Sequence, residues 1–142
     1  SEAPKQDISA LNRSWESNRK GFALYEAMTT VAKEDGPIVY PTEEHANATL
    51  YFGSVREKKS RINPAKGVYL SNYPNATTEE LYVILSEYRP RFFIETDYDK
   101  RIPELVTLLR TKNNILATRT FEAVQWDTLD IEKNNVYELI WP

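Results

Sequence analysis

Two short apolar runs, each bounded by proline and each preceded by a helical pattern, constrain this chain more than any other feature. In "PIVYP", Ile38 to Tyr40 lie between Pro37 and Pro41, and in "RPRFFIET" the apolar residues Phe92 to Ile94 follow Pro90. Apolar runs this short, set between turn signals, read as buried strands, the first over Ile38 to Tyr40 and the second over Arg91 to Glu95. Upstream of the first, Ile8, Leu11, Trp15, Phe22, Tyr25, Met28 and Val31 recur at spacings of three, four and seven. That spacing predicts a helix from an N-cap at Asp7 to about Glu34, closed by Gly36-Pro37. Thr42, Glu43 and Glu44 open another, expected to run to about Phe52 and end at Gly53. Upstream of the second strand, "TEELYVILSEYR" starts from a cap at Thr77 or Thr78 and turns Leu81, Ile84, Leu85 and Tyr88 to one face.

The polar middle, from Arg56 to Thr77, carries turns at Asn63-Pro64 and Tyr73-Pro74 and a short strand expected at Ser60 to Ile62. After Ile94, "KRIPELVTLLRTKNN" reads as a helix with Pro103 in its first turn and Leu105, Leu108 and Leu109 inward. "ILATRTFEAV" and "NVYELIW" close the chain as antiparallel strands joined by the polar loop "QWDTLDIEKN". Strands alternating with helices predict a right-handed, mainly parallel α/β sheet covered on both faces. The expected fold is a small Rossmann-like three-layer sandwich with an antiparallel C-terminal edge. It forms one domain over 1–142, with a leading helix over 1–35 and an α/β core over 36–142.

Composition removes several function classes. A net charge of −3 carries no footprint for a phosphate backbone, so nucleic acid is not expected as a partner. No cysteine is present, which excludes disulfides and thiolate metal sites. With four glycines in all, neither a GxGxxG nor a GxxxxGK[ST] loop occurs, and no G-x-S-x-G elbow is found. No stretch reaches the roughly 18 to 20 consecutive apolar residues of a membrane span. The chain opens on "SEAPKQD" and its only methionine is Met28, so it is expected to be processed or excised from a longer protein.

Ligands of open α/β sheets sit beyond the carboxyl ends of the strands. Beyond Tyr40 stand Thr42, Glu43, Glu44 and the single histidine, His45; beyond Ile94 stand Glu95, Asp97, Asp99, Lys100 and Arg101. Carboxylates and an imidazole on one crest have the chemistry for acid–base work or metal binding. The same residue types are equally those that helix starts require, since acids favour the dipole and Thr and Asp cap, and that plainer reading carries more weight. The basic run "REKKSR", with Arg56, Lys58 and Lys59, suits anionic lipid headgroups or a polyprenyl phosphate, or is a solvated loop. Three N-x-[ST] triplets begin at Asn12, Asn47 and Asn75, and they matter only in a glycosylating pathway. The aromatics of "KGVYLSNYP" could line a sugar site, though aromatics more often fill a core.

The order of elements carries a resemblance. A long amphipathic helix leads into "DGPIVYP", then come "LYFGSVREKKSRIN", "TTEELYVILSEYRPRFFIET", "PELVTLL" and a closing "NNVYELI". From about Phe22 onward this resembles the soluble C-terminal domain of multi-spanning glycosyltransferases that use polyprenyl-phosphate sugars, of the protein mannosyltransferase and aminoarabinose transferase type. Tyr51-Phe52-Gly53 with Arg56 resembles the family's turn. Leu81, Leu85, Arg89-Pro90 and Phe92-Phe93-Ile94 resemble its helix-to-strand step, and Val136-Tyr137-Glu138-Leu139 its last strand.

The resemblance implies an extracytoplasmic, membrane-attached domain that shapes acceptor access, partnered by the membrane-embedded catalytic portion of its own chain and by a polyprenyl-phosphate sugar or its acceptor. The family's catalytic acids lie in the membrane portion, so no catalytic residue is carried over. No metal or cofactor is expected either. The binding candidates are Glu44, His45, Arg56, Lys58, Lys59, Glu95 and Asp97. The alternatives are a stand-alone sugar- or peptide-binding module and a small Rossmann-like enzyme that uses the acids and His45 at the crest.

Overall fold

The computed structural model describes residues 22–47, 67–124 and 129–142. Helix α1 (Phe22–Val31) leads to strand β1 (Ile38–Tyr40), and residues 43–47 are helical. Strand β2 (Gly67–Tyr69) runs into a single 3-10 turn, Leu70–Asn72. Helix α2 (Thr78–Tyr88), strand β3 (Phe92–Ile94), helix α3 (Ile102–Thr111) and strands β4 (Ile115–Val124) and β5 (Ile131–Leu139) follow. The five strands form one mixed sheet in the order β2-β1-β3-β5-β4. β1 pairs in parallel with β2 and β3, whereas β5 runs antiparallel to both β3 and β4.

The two proline-bounded runs are buried throughout because alternate residues feed different cores. Val39, Phe93 and Tyr137 pack with Leu81 and Leu85 of α2 and with Leu105 and Leu109 of α3. Ile38, Tyr40, Phe92, Ile94 and Val136 pack instead with Leu24, Met28 and Val31 of α1 and with Ala46. Side chains one position apart in a strand point to opposite faces, so two apolar partners demand a run with no polar residue.

Local signals set the element ends. Thr77 caps α2 through a full capping box, its side chain accepting from the Glu80 amide at 3.1 Å while the Glu80 carboxylate accepts from the Thr77 amide at 3.3 Å. The helix ends with Arg89 in the left-handed region at φ 53°, ahead of the buried Pro90. That conformation is costly outside glycine. Here the Arg89 guanidinium donates to the carbonyls of Pro142 at 2.6 Å and Trp141 at 2.9 Å, which fixes it against the end of the sheet. Gly36 stands at φ +125°, and a Cβ there would meet Arg91 Cβ at 2.6 Å, so the turn into β1 requires glycine for conformation and for space.

Several expectations change. β2 falls at Gly67–Tyr69, inside the stretch read as an aromatic loop, because parallel pairing with β1 recruits it. The strand expected at Ser60 to Ile62 lies outside the described residues, as do the first part of the leading helix and the far end of the helix begun at Thr42. α3 is shorter at both ends than the reading over Lys100 to Asn114. The Asp99 carboxylate turns the chain ahead of it, and Asn113, at φ 60°, leaves the helix behind it. Tyr88, expected on the inner face of α2, is 57% exposed, and its side chain hydrogen-bonds that of Tyr73 instead. β5 starts four residues before Asn135 and absorbs the "IEKN" read as loop, since Glu132 and Lys133 pair across to Ala123 and Glu122. β3 meets β5 only along Val136 to Glu138, so the rest of the β4–β5 hairpin runs on past the carboxyl end of β3.

Candidate functional site

The crest beyond the parallel strands is built from the segments after Tyr40, Tyr69 and Ile94, with the overrunning β5 as its wall. Glu95 is the first residue past β3. Its amide donates to the Asn135 carbonyl at 3.0 Å, and its own carbonyl accepts from Asn134 Nδ2 at 2.5 Å. Its carboxylate accepts from Asn135 Nδ2 at 3.1 Å and from the Tyr137 hydroxyl at 2.9 Å. Asn135 is steadied in turn by Thr120 Oγ1, 2.8 Å from its Oδ1. Burial, and then the carboxylate it serves, push the Tyr137 phenol up to about 12. Glu95 therefore ties the end of β3 to β5.

Asp99 and Arg101 form a second knot. Asp99 Oδ1 accepts from the Arg101 amide at 2.9 Å and from its Nε at 3.0 Å, and Oδ2 accepts from Nη2 at 2.7 Å. Arg101 also donates to the carbonyls of Tyr73 at 2.6 Å, Ala76 at 2.8 Å and Leu70 at 3.2 Å. The paired guanidinium holds the Asp99 carboxyl below the usual carboxylate range. Planar, multiply donating and permanently charged, the guanidinium suits a cluster of orphan carbonyls. This knot clasps the turn after β2 to the start of α3.

The β1 side carries the histidine. His45 Nδ1 lies 2.7 Å from Thr42 Oγ1, and its ring meets Tyr98 edge to face with centroids 4.6 Å apart. Burial lowers the imidazole pKa, and the nearby Glu44 opposes that shift. Glu43, Glu44 and Asp97 are exposed. Burial raises the Tyr69 phenol and Glu43 adds to the rise, while Tyr69 itself lies 6.2 Å from Tyr40 between ring centroids.

Of the residues singled out from sequence, His45 and the loop carrying Asp97 are brought together, through Tyr98. Glu95 turns its carboxylate to β5. Glu44 stands on the exposed rim, and Arg56, Lys58 and Lys59 lie outside the described residues. Tyr98, Asn134, Asn135 and Tyr137 take part in the crest, and the sequence assigns none of them to it. Only the aromatic placed inside "TDYD" offered a local signal for any of them. Among the described residues, no group of three His, Cys, Asp or Glu side chains is placed to hold a metal ion.

At the opposite end of the sheet, Arg119 Nη1 pairs with Glu34 Oε1 and its Nη2 donates to Oε2 at 3.0 Å. Arg91 donates to the Asp35 carbonyl at 2.7 Å. The Arg119 hydrogen bond is the main cause holding the Glu34 carboxyl below its ordinary range. These contacts fasten the exit of α1 to β3 and β4.

No family model, curated protein or solved structure matches the chain. Among the described residues, no helix is long and apolar enough to cross a membrane.

Proposed function

We propose that this chain is an accessory extracytoplasmic domain of a membrane glycosyltransferase that takes its sugar from a polyprenyl-phosphate donor, and that the domain performs no transfer itself. The observation that carries the non-catalytic part is the use of the crest acids. Glu95 is bound by Tyr137 and Asn135, and Asp99 by Arg101, so each bonds the chain to itself at the edge where chemistry would be sought. An acid engaged in this way has part of its accepting capacity committed to its own chain.

The glycosyltransferase part is supported by the resemblance, whose positions are architectural. Arg89-Pro90 lies at the left-handed end of α2, Phe92–Ile94 is β3, and Val136 to Leu139 closes β5. In this reading the helices α2 and α3 and the helix α1 form the outer layers of a Rossmann-like three-layer sandwich. The membrane-embedded portion of the same chain is its partner, and the crest faces the acceptor.

Fractionation of native cells with an antibody to the domain tests the proposal. A band several times heavier than 16.5 kDa that stays with membranes through a carbonate wash is expected. A carbonate-soluble band near 16.5 kDa would overturn it.

A further inference from the structure

In the triplet Asn75-Ala76-Thr77, Ala76 serves the Arg101 knot and Thr77 caps α2, but the Asn75 side chain is used by neither, and this is the one of the three N-x-[ST] triplets whose residues are all described. It sits in the turn between the 3-10 segment Leu70–Asn72 and α2. Asn75 and Thr77 are both exposed, and the Asn75 side chain takes part in no hydrogen bond or ion pair among the described residues. Beneath it the backbone is fixed. The Ala76 amide donates to the Tyr73 carbonyl at 3.3 Å, and Arg101 holds the Tyr73 and Ala76 carbonyls at 2.6 and 2.8 Å. A rigid turn whose amide side chain is exposed and unbonded among the described residues can take a bulky polar substituent without displacing any of their packed groups.

We infer that Asn75 is an acceptor for N-linked glycan. The donor class is an oligosaccharide on a polyprenyl diphosphate. Asn75 Nδ2 bonds to the anomeric carbon, the bond from that carbon to the diphosphate oxygen breaks, the diphosphate leaves with its electron pair, and a base of the transferring enzyme takes the amide proton. Neighbouring residues meet the sequence requirement: Ala76 is not proline, and Thr77 supplies the hydroxyl at the second position after the asparagine. The glycan would stand beside the turn after β2, at the crest end of the sheet and away from the cores. The inference rests on the extracytoplasmic reading, because only a chain delivered to that side meets such a donor.

The test directs the full 142-residue chain through a eukaryotic secretory pathway with an added leader, so that its result does not depend on where the native protein resides. After secretion, peptide mapping with glycosidase treatment is expected to recover the Asn75 peptide with aspartate in place of asparagine. Asn75→Gln should remove one glycan from the intact mass. Thr77→Ser, which keeps both the hydroxyl and the cap of α2, should retain it. A folded, secreted chain whose Asn75 peptide carries no glycan, or an Asn75→Gln chain of unchanged glycan mass, overturns the inference. Failure of the membrane reading shows separately, as a carbonate-soluble native band.

Discussion

The two acid-rich strand ends make an instructive pair. Both follow a three-residue buried strand, both mix acids with a potential cation, and both begin a helix. Past β1, Glu43 and Glu44 remain exposed, and His45 meets the Thr42 hydroxyl and the Tyr98 ring. Past β3, Glu95, Asp99 and Arg101 are bonded to β5 and to the turn after β2. For Glu95 the difference lies in the neighbouring strand. β3 lies beside β5, which overruns it and brings Asn134, Asn135 and Tyr137 to its end, whereas β1 is flanked by β2 and β3, which are three residues long like itself. An acid at a strand end becomes scaffold when the adjoining strand extends past it with donors.

That contrast breaks most visibly at Arg101. Arg101→Ala should cost on the order of 3 kcal/mol in urea unfolding, because Asp99 and three carbonyls lose their donor together. A loss under about 1 kcal/mol would mean that the Asp99–Arg101 knot holds the β3 end no better than an exposed ion pair. Tyr137→Phe sharpens the same point and should cost about 1.5 kcal/mol near neutral pH by removing a hydrogen bond to a carboxylate.

The Tyr137 phenol also leaves a mark in alkali. Its folded pKa of about 12 lies above the ordinary 10, so folding favours the protonated form. The corresponding stability is present below about pH 10 and is lost as pH rises toward 12. Unfolding curves of the parent chain should show that component between these values, and those of Tyr137→Phe should lack it.

The smallest effect is expected on the β1 side. The His45 pKa is depressed by burial, so its stability contribution is present above the unfolded value of about 6.5 and lost as pH falls below it. His45→Gln should flatten that acid-side slope while changing stability at pH 8 by less than about 1 kcal/mol. A large loss at pH 8 would make the two strand ends alike.

Much of the architecture was legible because local rules and tertiary demand agree. The runs Ile38 to Tyr40 and Phe92 to Ile94, the Thr77 cap and the tolerance of Pro103 in the first turn of α3 each arise from a few adjacent residues. β2 was not legible, since Gly67–Tyr69 is a strand only through its pairing with β1. Nor was the start of β5, where polar residues suit a ribbon that projects beyond the sheet. At the crest, composition located Glu95, Asp97, His45 and Arg101 but not their uses. Besides Asp99, the partners of Arg101 are backbone carbonyls 25 to 31 positions away, and those of Glu95 lie 39 to 42 positions on. Carbonyls carry no sequence signal, and the two asparagines before Val136 look like any turn.

The most direct measurement is a double-mutant cycle between Glu95 and Tyr137, with urea unfolding of Glu95→Gln, Tyr137→Phe and the double variant at pH 7. If Glu95 serves as scaffold for β5, the single losses are not additive, and a coupling of about 1 to 2 kcal/mol remains. Additive losses, or a Glu95→Gln chain as stable as the parent, would contradict that role and leave the Glu95 carboxylate free for chemistry.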